Sequence, residues 1–427
     1  MRKELTFIAT LSLLFILNGC LIDIEDNVKE IIIEAKDIQS LTKDLNLAGY
    51  STIPDTTDFP ITAWFGIPHG QLNEYRFQEL KDAGITINYY RYPNADSVQK
   101  ALDLSQKVGI KTLINCPELV SNTKAIVQRF KNHPANAGYF IRDEPPVSMI
   151  PTLKSFINTV KSVDKDKLCY VNLLPLYGTG TALGTENYYQ YIGRYMNELP
   201  WDVVSFDFYP IENAGLRYGW YKNLEIIRDE SNRIGKPFWA FALTTAHSNY
   251  PIPTLENLRL QVYSNLAYGA KGIQYYTYWT TISPNYVYVS GPIEKNGSKT
   301  DVYNHIKTLN KEIDNLAYIF KSTNVTNVSH YKNIPEGAKP FTNLPNYVKS
   351  FDIDGESAII SEMGNDSVSY LMIQNNSLHN PMAVDIKVDS LTNMVLKNGR
   401  IIPAALIKEK FKLTSGDVAV FQRRKNK

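Results

Sequence analysis

Between residues 61 and 279, short apolar runs of strand type alternate with stretches whose apolar residues recur at helical spacing. This alternation predicts a parallel sheet with crossover helices, because parallel strands need a long connection. The strand-type runs are Ile61–Ile67, Ile85–Tyr92, Lys111–Cys116, Ala137–Ile141, Leu168–Leu174, Val203–Tyr209, Phe238–Leu243 and Gly272–Trp279. Eight strands are the number that closes a (β/α)8 TIM barrel, so the sequence predicts that α/β fold.

An open, doubly wound sheet is the competing fold. Such sheets usually bind a nucleotide through a Gly-x-Gly-x-x-Gly turn after the first strand. Here that turn reads Gly66-Ile67-Pro68-His69-Gly70 and lacks the spacing. The closed barrel is therefore favoured, and no cofactor is expected.

The character of the sequence changes near Asn324, where short alternating runs begin with Gly and Asn turns between them. This pattern is typical of an antiparallel β-sandwich. The sequence thus predicts a barrel over residues 59–322 and a small C-terminal β-sandwich domain over residues 323–427. Such a domain either braces the barrel or binds carbohydrate, and bracing is the favoured interpretation.

The N-terminus has the features of an export signal. Arg2 and Lys3 precede an apolar stretch at Leu5–Leu17, and Leu17-Asn18-Gly19-Cys20 resembles the lipobox of bacterial lipoproteins. We therefore expect a signal peptide at residues 1–20, acylation of Cys20 and a polar tether at residues 21–58. The expected location is the bacterial outer membrane, where a lipid anchor holds the protein at the periplasmic face or the cell surface.

Charge and cysteine content exclude several classes of protein. The chain has 45 basic and 43 acidic residues, which gives no electrostatic reason to bind nucleic acid. No Cys or His spacing indicates a metal site. Besides Cys20 the chain has only Cys116 and Cys169, which fall on non-neighbouring predicted strands, so no disulfide is expected.

The fourth strand-type run ends in Arg142-Asp143-Glu144-Pro145. Catalytic groups of TIM barrels lie on the loops at the C-terminal ends of the strands, so Asp143 and Glu144 are candidate site residues. The alternative is that the two carboxylates only favour the start of the next helix, which Pro145 begins.

Aromatic residues gather at the same predicted strand ends. Sugar-binding sites combine aromatic surfaces, which bury the apolar faces of sugar rings, with polar groups that bind the hydroxyls. The sequence therefore predicts a carbohydrate site, to which we assign Asp143 and five further residues: Trp64, Arg91, Tyr209, His247 and Trp279.

The segment Gly138–Pro145 resembles the fourth-strand motif of barrel glycoside hydrolases related to family 42 β-galactosidases and clan A. The resemblance continues through Asp207–Pro210, Phe238–Phe241 and Gly272–Trp279, and spans about residues 60–320. It implies a glycoside hydrolase in which Glu144 is the acid/base.

The sequence departs from the clan pattern at two places. Asp143 stands where the clan has Asn, and the seventh strand and its loop, 238–253, contain no carboxylate to serve as the clan's nucleophile. An inverting mechanism needs only an acid and a base about 6.5–9.5 Å apart. Asp207 is the expected base, although it could instead hold Glu144 or Arg91 by a hydrogen bond.

Other arrangements stay open at this point. Three further carboxylates could serve as the base: Glu118, Glu212 and Glu294. Attack by the acetamido group of the substrate itself is a third mechanism. The expected function is hydrolysis of an oligo- or polysaccharide, and the alternatives are a catalytically inactive glycan-binding lipoprotein or a barrel enzyme of non-glycosidic chemistry.

Overall fold

The computed structural model describes residues 35–43, 45, 47 and 58–425. The predicted signal peptide at residues 1–20, including the lipidation site Cys20, lies outside these residues, as does most of the predicted tether.

Part of the predicted tether is ordered against the C-terminal domain. Lys36–Asp37 form a strand, β1, that pairs in parallel with Phe411–Leu413, and Ile38–Thr42 form a helix, α1. Asp37 caps this helix, since its Oδ1 accepts a hydrogen bond from the Ser40 amide at 2.7 Å. The prediction of a polar tether is therefore wrong for residues 36–42, because Ile38 and its neighbour Leu41 pack on the core of that domain.

Eight parallel strands close into a barrel in chain order, and Ile61 in the first of them pairs with Ile273 in the last. The strands are β2 (Ile61–Trp64), β3 (Ile87–Tyr89), β4 (Lys111–Ile114), β5 (Asn136–Asp143), β6 (Leu168–Leu173), β7 (Val204–Phe206), β10 (Phe238–Leu243) and β11 (Ile273–Tyr276). A small hairpin of β8 (Ile211–Glu212) and β9 (Gly215–Leu216) lies between β7 and β10. The predicted (β/α)8 barrel is confirmed.

Helices surround the barrel. They are α2 (Glu74–Asp82), α3 (Ala95–Val108), α4 (Pro117–Ser121), α5 (Thr123–Phe130), α6 (Ile150–Lys161), α7 (Gly180–Leu183), α8 (Tyr188–Glu198), α9 (Trp220–Ile234), α10 (Leu255–Ala267) and α11 (Asp301–Ser322). Local sequence sets their ends: α3 begins where Asn94 accepts a hydrogen bond from the Ser97 amide and ends at Gly109 in the left-handed conformation.

The C-terminal domain consists of two sheets that are antiparallel, as predicted, except where β1 pairs in parallel. Its strands are β12 (Asn324–Tyr331), β13 (Val348–Asp354), β14 (Ala358–Gly364), β15 (Val368–Asn375), β16 (Met382–Val388), β17 (Thr392–Val395), β18 (Ile401–Pro403), β19 (Phe411–Leu413) and β20 (Val418–Arg424). The larger sheet has the order β12-β14-β15-β20-β17-β18, and the smaller has the order β1-β19-β16-β13.

The larger sheet is buried on both faces. Ile360 of β14 faces the core between the two sheets, whereas Ile359 and Met363 of the same strand belong to the core of the barrel. Side chains that alternate along β14 therefore pack into two different hydrophobic cores. Ser361 also donates a hydrogen bond to the Ala267 carbonyl of α10 at 2.6 Å.

Two further observations concern the cysteines and membrane-spanning helices. Cys116 and Cys169 are both buried and both free. Among the described residues, no helix has the length and apolar character needed to cross a membrane.

Candidate active site

A cavity of about 150 Å³ opens at the C-terminal ends of the barrel strands. Its lining residues come from six strands or the loops that follow them: Trp64, Asp143, Glu144, Asn172, Asp207, Tyr209, Phe241, His247 and Tyr276. This is the end of a TIM barrel at which catalytic groups lie. The structure therefore brings together six of the predicted site residues, namely Trp64, Asp143, Glu144, Asp207, Tyr209 and His247.

Asp143 and Glu144 both line the cavity although they are neighbours in sequence. Side chains alternate in a regular strand, so adjacent residues normally face opposite sides. Glu144 breaks this pattern because its φ is 45°, in the left-handed region, while its amide still bonds to the Asn172 carbonyl at 2.9 Å. A non-glycine residue held there is strained, and such strain is concentrated at functional sites.

The carboxyl groups of Glu144 and Asp207 are close enough to influence each other's ionisation. Glu144 is exposed to the cavity, whereas Asp207 lies beneath it and is 6% exposed. Desolvation raises the pKa of both groups, that of Asp207 well above its usual range, and the neighbouring Asp143 raises them further. Two carboxyls this close do not ionise independently: the hydrogen-bonding interaction between them raises the pKa of Asp207 and lowers that of Glu144.

The inverting arrangement stays a prediction. An inverting acid and base must be about 6.5–9.5 Å apart so that a water molecule fits between them. Glu144 and Asp207 influence each other's pKa, so their carboxyls lie close together. This proximity favours the other predicted role of Asp207, that of a hydrogen-bond partner of Glu144.

Asn172, at the end of β6, connects the carboxylates. Its Nδ2 donates to Asp143 Oδ1 at 3.2 Å and to Asp207 Oδ1 at 2.9 Å. Ser205 in turn donates to Asn172 Oδ1 at 2.9 Å, and the Tyr170 hydroxyl lies 2.7 Å from the Ser205 oxygen. The sequence reasoning missed Asn172, although a polar residue within the apolar run at 168–174 was the available signal.

Arg91, predicted as a substrate contact, lies at the edge of the site rather than in the cavity wall. Its Nη2 is 3.4 Å from Asp143 Oδ2, and the Arg91 side chain is 56% exposed. An ion pair this exposed contributes little stability. Burial raises the pKa of Asp143, while Asn172 and Arg91 act in the opposite direction.

Aromatic rings form the floor and walls of the cavity. The buried Trp64 and Phe241 rings are in edge-to-face contact at 5.1 Å, and Tyr209 packs on Tyr276 at 5.4 Å. Among the described residues, none forms a hydrogen bond with the Tyr209 hydroxyl, which is therefore available to a ligand. Phe241 and Tyr276 were not among the predicted site residues, although both lie in motifs that carried the resemblance.

His247 follows β10 and forms one wall. Its Nδ1 lies 3.0 Å from the Thr245 carbonyl, and its ring stacks on Tyr288 at 4.4 Å. Burial lowers the pKa of His247, so the imidazole is neutral at neutral pH. In the same segment, Thr244 and Thr245 both direct their hydroxyls to the Thr277 carbonyl, at 2.9 and 2.8 Å.

The structure does not bring Trp279 into the cavity. Its indole is 6% exposed and lies 5.1 Å from the Arg76 guanidinium of α2. The prediction for Trp279 is wrong because β11 ends at Tyr276, which lines the cavity, and the backbone of Trp279 then bonds to the Phe65 carbonyl.

The three alternative bases also lie outside the cavity. Glu118 accepts a hydrogen bond from the Ala95 amide, Glu212 pairs with Arg217, and Glu294 accepts from the Ser290 amide. Within residues 35–43 and 58–425, no cluster of three or more His, Cys, Asp or Glu side chains is arranged to hold a metal ion.

The closed barrel, with its carboxylates at the C-terminal ends of the strands, defines a TIM-barrel protein with a site of the glycoside hydrolase type. Residues 181–316 match the model of glycoside hydrolase family 42, which is described as β-galactosidase. This segment includes Asp207, His247 and Tyr276 and begins after Glu144. Comparison of the sequence with curated proteins finds no match.

Two solved β-galactosidase structures with TM-scores above 0.5 share the fold. The β-galactosidase from Bacillus circulans sp. alkalophilus has a TM-score of 0.58 and 10% identity, over 86% of this chain and 99% of that chain. A catalytic mutant of Gan42B, a GH42 β-galactosidase from G. stearothermophilus, has a TM-score of 0.55 and 8% identity, over 88% and 99%. A third structure, the β-galactosidase from the psychrophilic Marinomonas ef1, matches with 10% identity and a TM-score of 0.45. The match covers 60% of this chain and spans 60% of the length of that chain.

Proposed function

We propose that this protein is a glycoside hydrolase that cleaves glycosidic bonds of an oligo- or polysaccharide by general acid/base catalysis. The observation that carries the proposal is that Asp143, Glu144 and Asp207 meet in a small, aromatic-walled cavity at the C-terminal end of the barrel, where burial raises the pKa of each carboxyl. The match of residues 181–316 to the family 42 model supports it.

Glu144 is the proton donor to the leaving oxygen. It is the member of the pair that the cavity exposes, so it is the one that reaches a substrate. Asp207, buried below, keeps a proton within the pair because ionising both carboxyls in this setting is unfavourable. A raised pKa is what a carboxylic acid needs in order to donate a proton near neutral pH.

The alternative of a catalytically inactive glycan-binding protein is not favoured. Binding needs aromatic and hydrogen-bonding groups, and Trp64, Tyr209 and Arg91 would supply them. Adjacent carboxyls whose pKa values burial raises are typical of catalytic sites.

Hydrolysis is tested with the purified protein on an arrayed panel of plant, host and microbial glycans, with release of reducing sugar as the readout. We expect cleavage of at least one glycan, and loss of that cleavage in Glu144→Gln. Binding of glycans without any release of reducing sugar would contradict the proposal and favour the inactive alternative.

We further propose that the mature protein is a lipoprotein held in the outer membrane by an acylated Cys20. Support comes from the basic start, the apolar stretch and the lipobox-like sequence that ends at Cys20. Mass spectrometry of the native protein should find a diacylated or triacylated N-terminal Cys20, and Cys20→Ser should be released from the membrane fraction. A mature chain that starts at another residue would contradict this proposal.

A further inference from the structure

We infer that the substrate itself supplies the nucleophile, and that the sugar bound in the cavity is therefore a 2-acetamido sugar. The inference rests on the proposed hydrolase function and names its substrate class. It explains how a site with a proton donor but without a carboxylate after the seventh barrel strand can cleave a glycosidic bond.

The described residues around the cavity include no carboxylate in the position of a nucleophile. The loop after β10 offers no carboxylate: it carries Thr244 and Thr245, whose hydroxyls are bonded to the Thr277 carbonyl, and the neutral imidazole of His247. Asp207 lies close to Glu144 but is buried, with an exposed fraction of only 6%. A retaining enzyme needs a carboxylate that reaches C1 of the sugar, and an inverting enzyme needs one with room for a water in front of it.

Asp143 is the carboxylate available to the substrate. Its Oδ1 accepts from Asn172 and its Oδ2 faces Arg91, so the group is held firmly in place while its side chain remains 31% exposed to the site. The left-handed backbone at Glu144 is what turns both Asp143 and Glu144 toward the cavity. Adjacent residues can therefore act on two parts of one sugar.

The cavity complements each part of an acetamido group. The N–H can donate to Asp143, and the unpartnered Tyr209 hydroxyl can position the carbonyl oxygen. The methyl group can pack on the apolar rings of Trp64 and Phe241. A hydroxyl in the same position would gain nothing from this apolar surface. The cavity volume of about 150 Å³ suits a single sugar ring.

The reaction balances without any other reactant than water. The acetamido oxygen attacks C1, the bond from C1 to the leaving oxygen breaks, and that oxygen takes the proton of Glu144. Asp143 receives the N–H hydrogen as the five-membered oxazoline ring forms. Water then attacks C1 and gives its proton to Glu144, the ring opens, and the nitrogen regains its hydrogen from Asp143.

This chemistry fixes the stereochemistry. The acetamido oxygen can reach C1 only from the face opposite to the leaving group, so the substrate must be a 1,2-trans glycoside. Two displacements at C1 restore its configuration, so the product is the retained anomer.

The test compares matched pairs of 1,2-trans aryl glycosides of gluco and galacto configuration, with acetamido or hydroxyl at C2, beside natural glycans with and without acetamido sugars. We expect hydrolysis of the acetamido members with retention. Replacing acetyl by trifluoroacetyl should slow the reaction by at least about tenfold, or about 1.4 kcal/mol, because fluorine weakens the attacking oxygen.

A sugar-fused 2-methylthiazoline, a stable analogue of the oxazoline, provides a second readout. It should bind at least about 100-fold more tightly than the substrate, as intermediate-like analogues do. Asp143→Asn should weaken this binding by at least about tenfold, whereas Glu118→Gln, a carboxylate outside the cavity, should leave it unchanged.

The outcomes separate the two proposals. Equal rates on the hydroxyl and acetamido members, an inverted product, or no thiazoline binding would overturn the acetamido inference while leaving the hydrolase function in place. Absence of cleavage on every substrate would overturn the hydrolase function, and the inference with it.

Discussion

At the scale of single residues, the site depends on Asn172 holding two carboxylates that would otherwise repel each other. Its one Nδ2 donates to both Asp143 and Asp207. These hydrogen bonds oppose the rise in pKa that burial causes in each carboxyl. Asn172 therefore helps Asp143 and Asp207 to ionise, although burial disfavours their charged forms.

Asn172→Leu should move the acidic limb of the pH profile of kcat/KM to higher pH. Removing the Asn172 amide raises the pKa of Asp143 and Asp207, because their charged forms lose a hydrogen-bond donor that stabilises them. At a given mildly acidic pH, a larger fraction of the enzyme then has both Asp143 and Asp207 protonated. Asn115→Leu, an asparagine that follows the neighbouring β4 and lies outside the cavity, is the control and should keep the original limb. An unshifted limb in Asn172→Leu would show that these carboxylates do not control the rate.

At the scale of elements, β5 places Asp143 and Glu144 by packing very closely on β6. Gly138 has a φ of 138°, and a Cβ atom there would lie 2.4 Å from the Leu168 carbonyl oxygen. Only glycine fits this conformation without displacing backbone. The strand that carries the proton donor is therefore positioned by a glycine near its start.

Gly138→Ala should destabilise the protein by more than about 1 kcal/mol, because a positive φ and a backbone clash coincide. Gly70→Ala is the matched control, since a Cβ at Gly70 meets nothing within 4 Å. Denaturant unfolding of both variants measures the difference. Equal stability of the two variants would mean that β5 can shift away from β6 at little cost.

At the scale of the whole molecule, the C-terminal domain braces the barrel through shared packing and buried hydrogen bonds. Gln374 of β15 is fully buried, donates to the Leu260 carbonyl of α10 at 3.1 Å and accepts from Ser264 at 3.1 Å. The barrel and this domain belong to one compact unit. This arrangement supports the bracing interpretation of the domain.

Gln374→Ala should lower the free energy of unfolding by about 1–3 kcal/mol, because it leaves buried polar groups of α10 without partners. Unfolding should remain a single transition by fluorescence and circular dichroism, since the two parts share a core. Gln128→Ala, on the exposed face of α5, should be close to neutral. Separate transitions for barrel and C-terminal domain would contradict a bracing role.

The sequence predicts the elements better than the directions of their side chains. The strand at Phe238–Leu243 matches its predicted bounds because an apolar run between helical patterns has few other interpretations. The prediction that Trp279 contacts the substrate was wrong because side-chain direction at a strand end depends on the exact residue at which pairing stops. The alternation of side chains along a strand does not reveal where the pairing of the strand stops.

Two features of the site had no sequence signal. The left-handed backbone at Glu144 is imposed by the surrounding barrel, since glutamate does not favour it. The proximity of Glu144 and Asp207 is the second such feature, because places on the fourth and sixth barrel strands do not fix the distance between two side chains. The helix at Ile38–Thr42 was missed because its apolar residues serve a domain that begins almost 300 residues later.

The central claim is that Glu144 donates the proton to the leaving group, and one comparison tests it most directly. Rates of the wild type and Glu144→Gln are measured on a natural glycan and on an activated aryl glycoside, with folding of the variant checked by circular dichroism. The account predicts a loss of about 10²–10⁴-fold on the natural glycan, and a much smaller loss on the aryl glycoside, whose leaving group needs no proton. A near-native rate of Glu144→Gln on the natural glycan would contradict it.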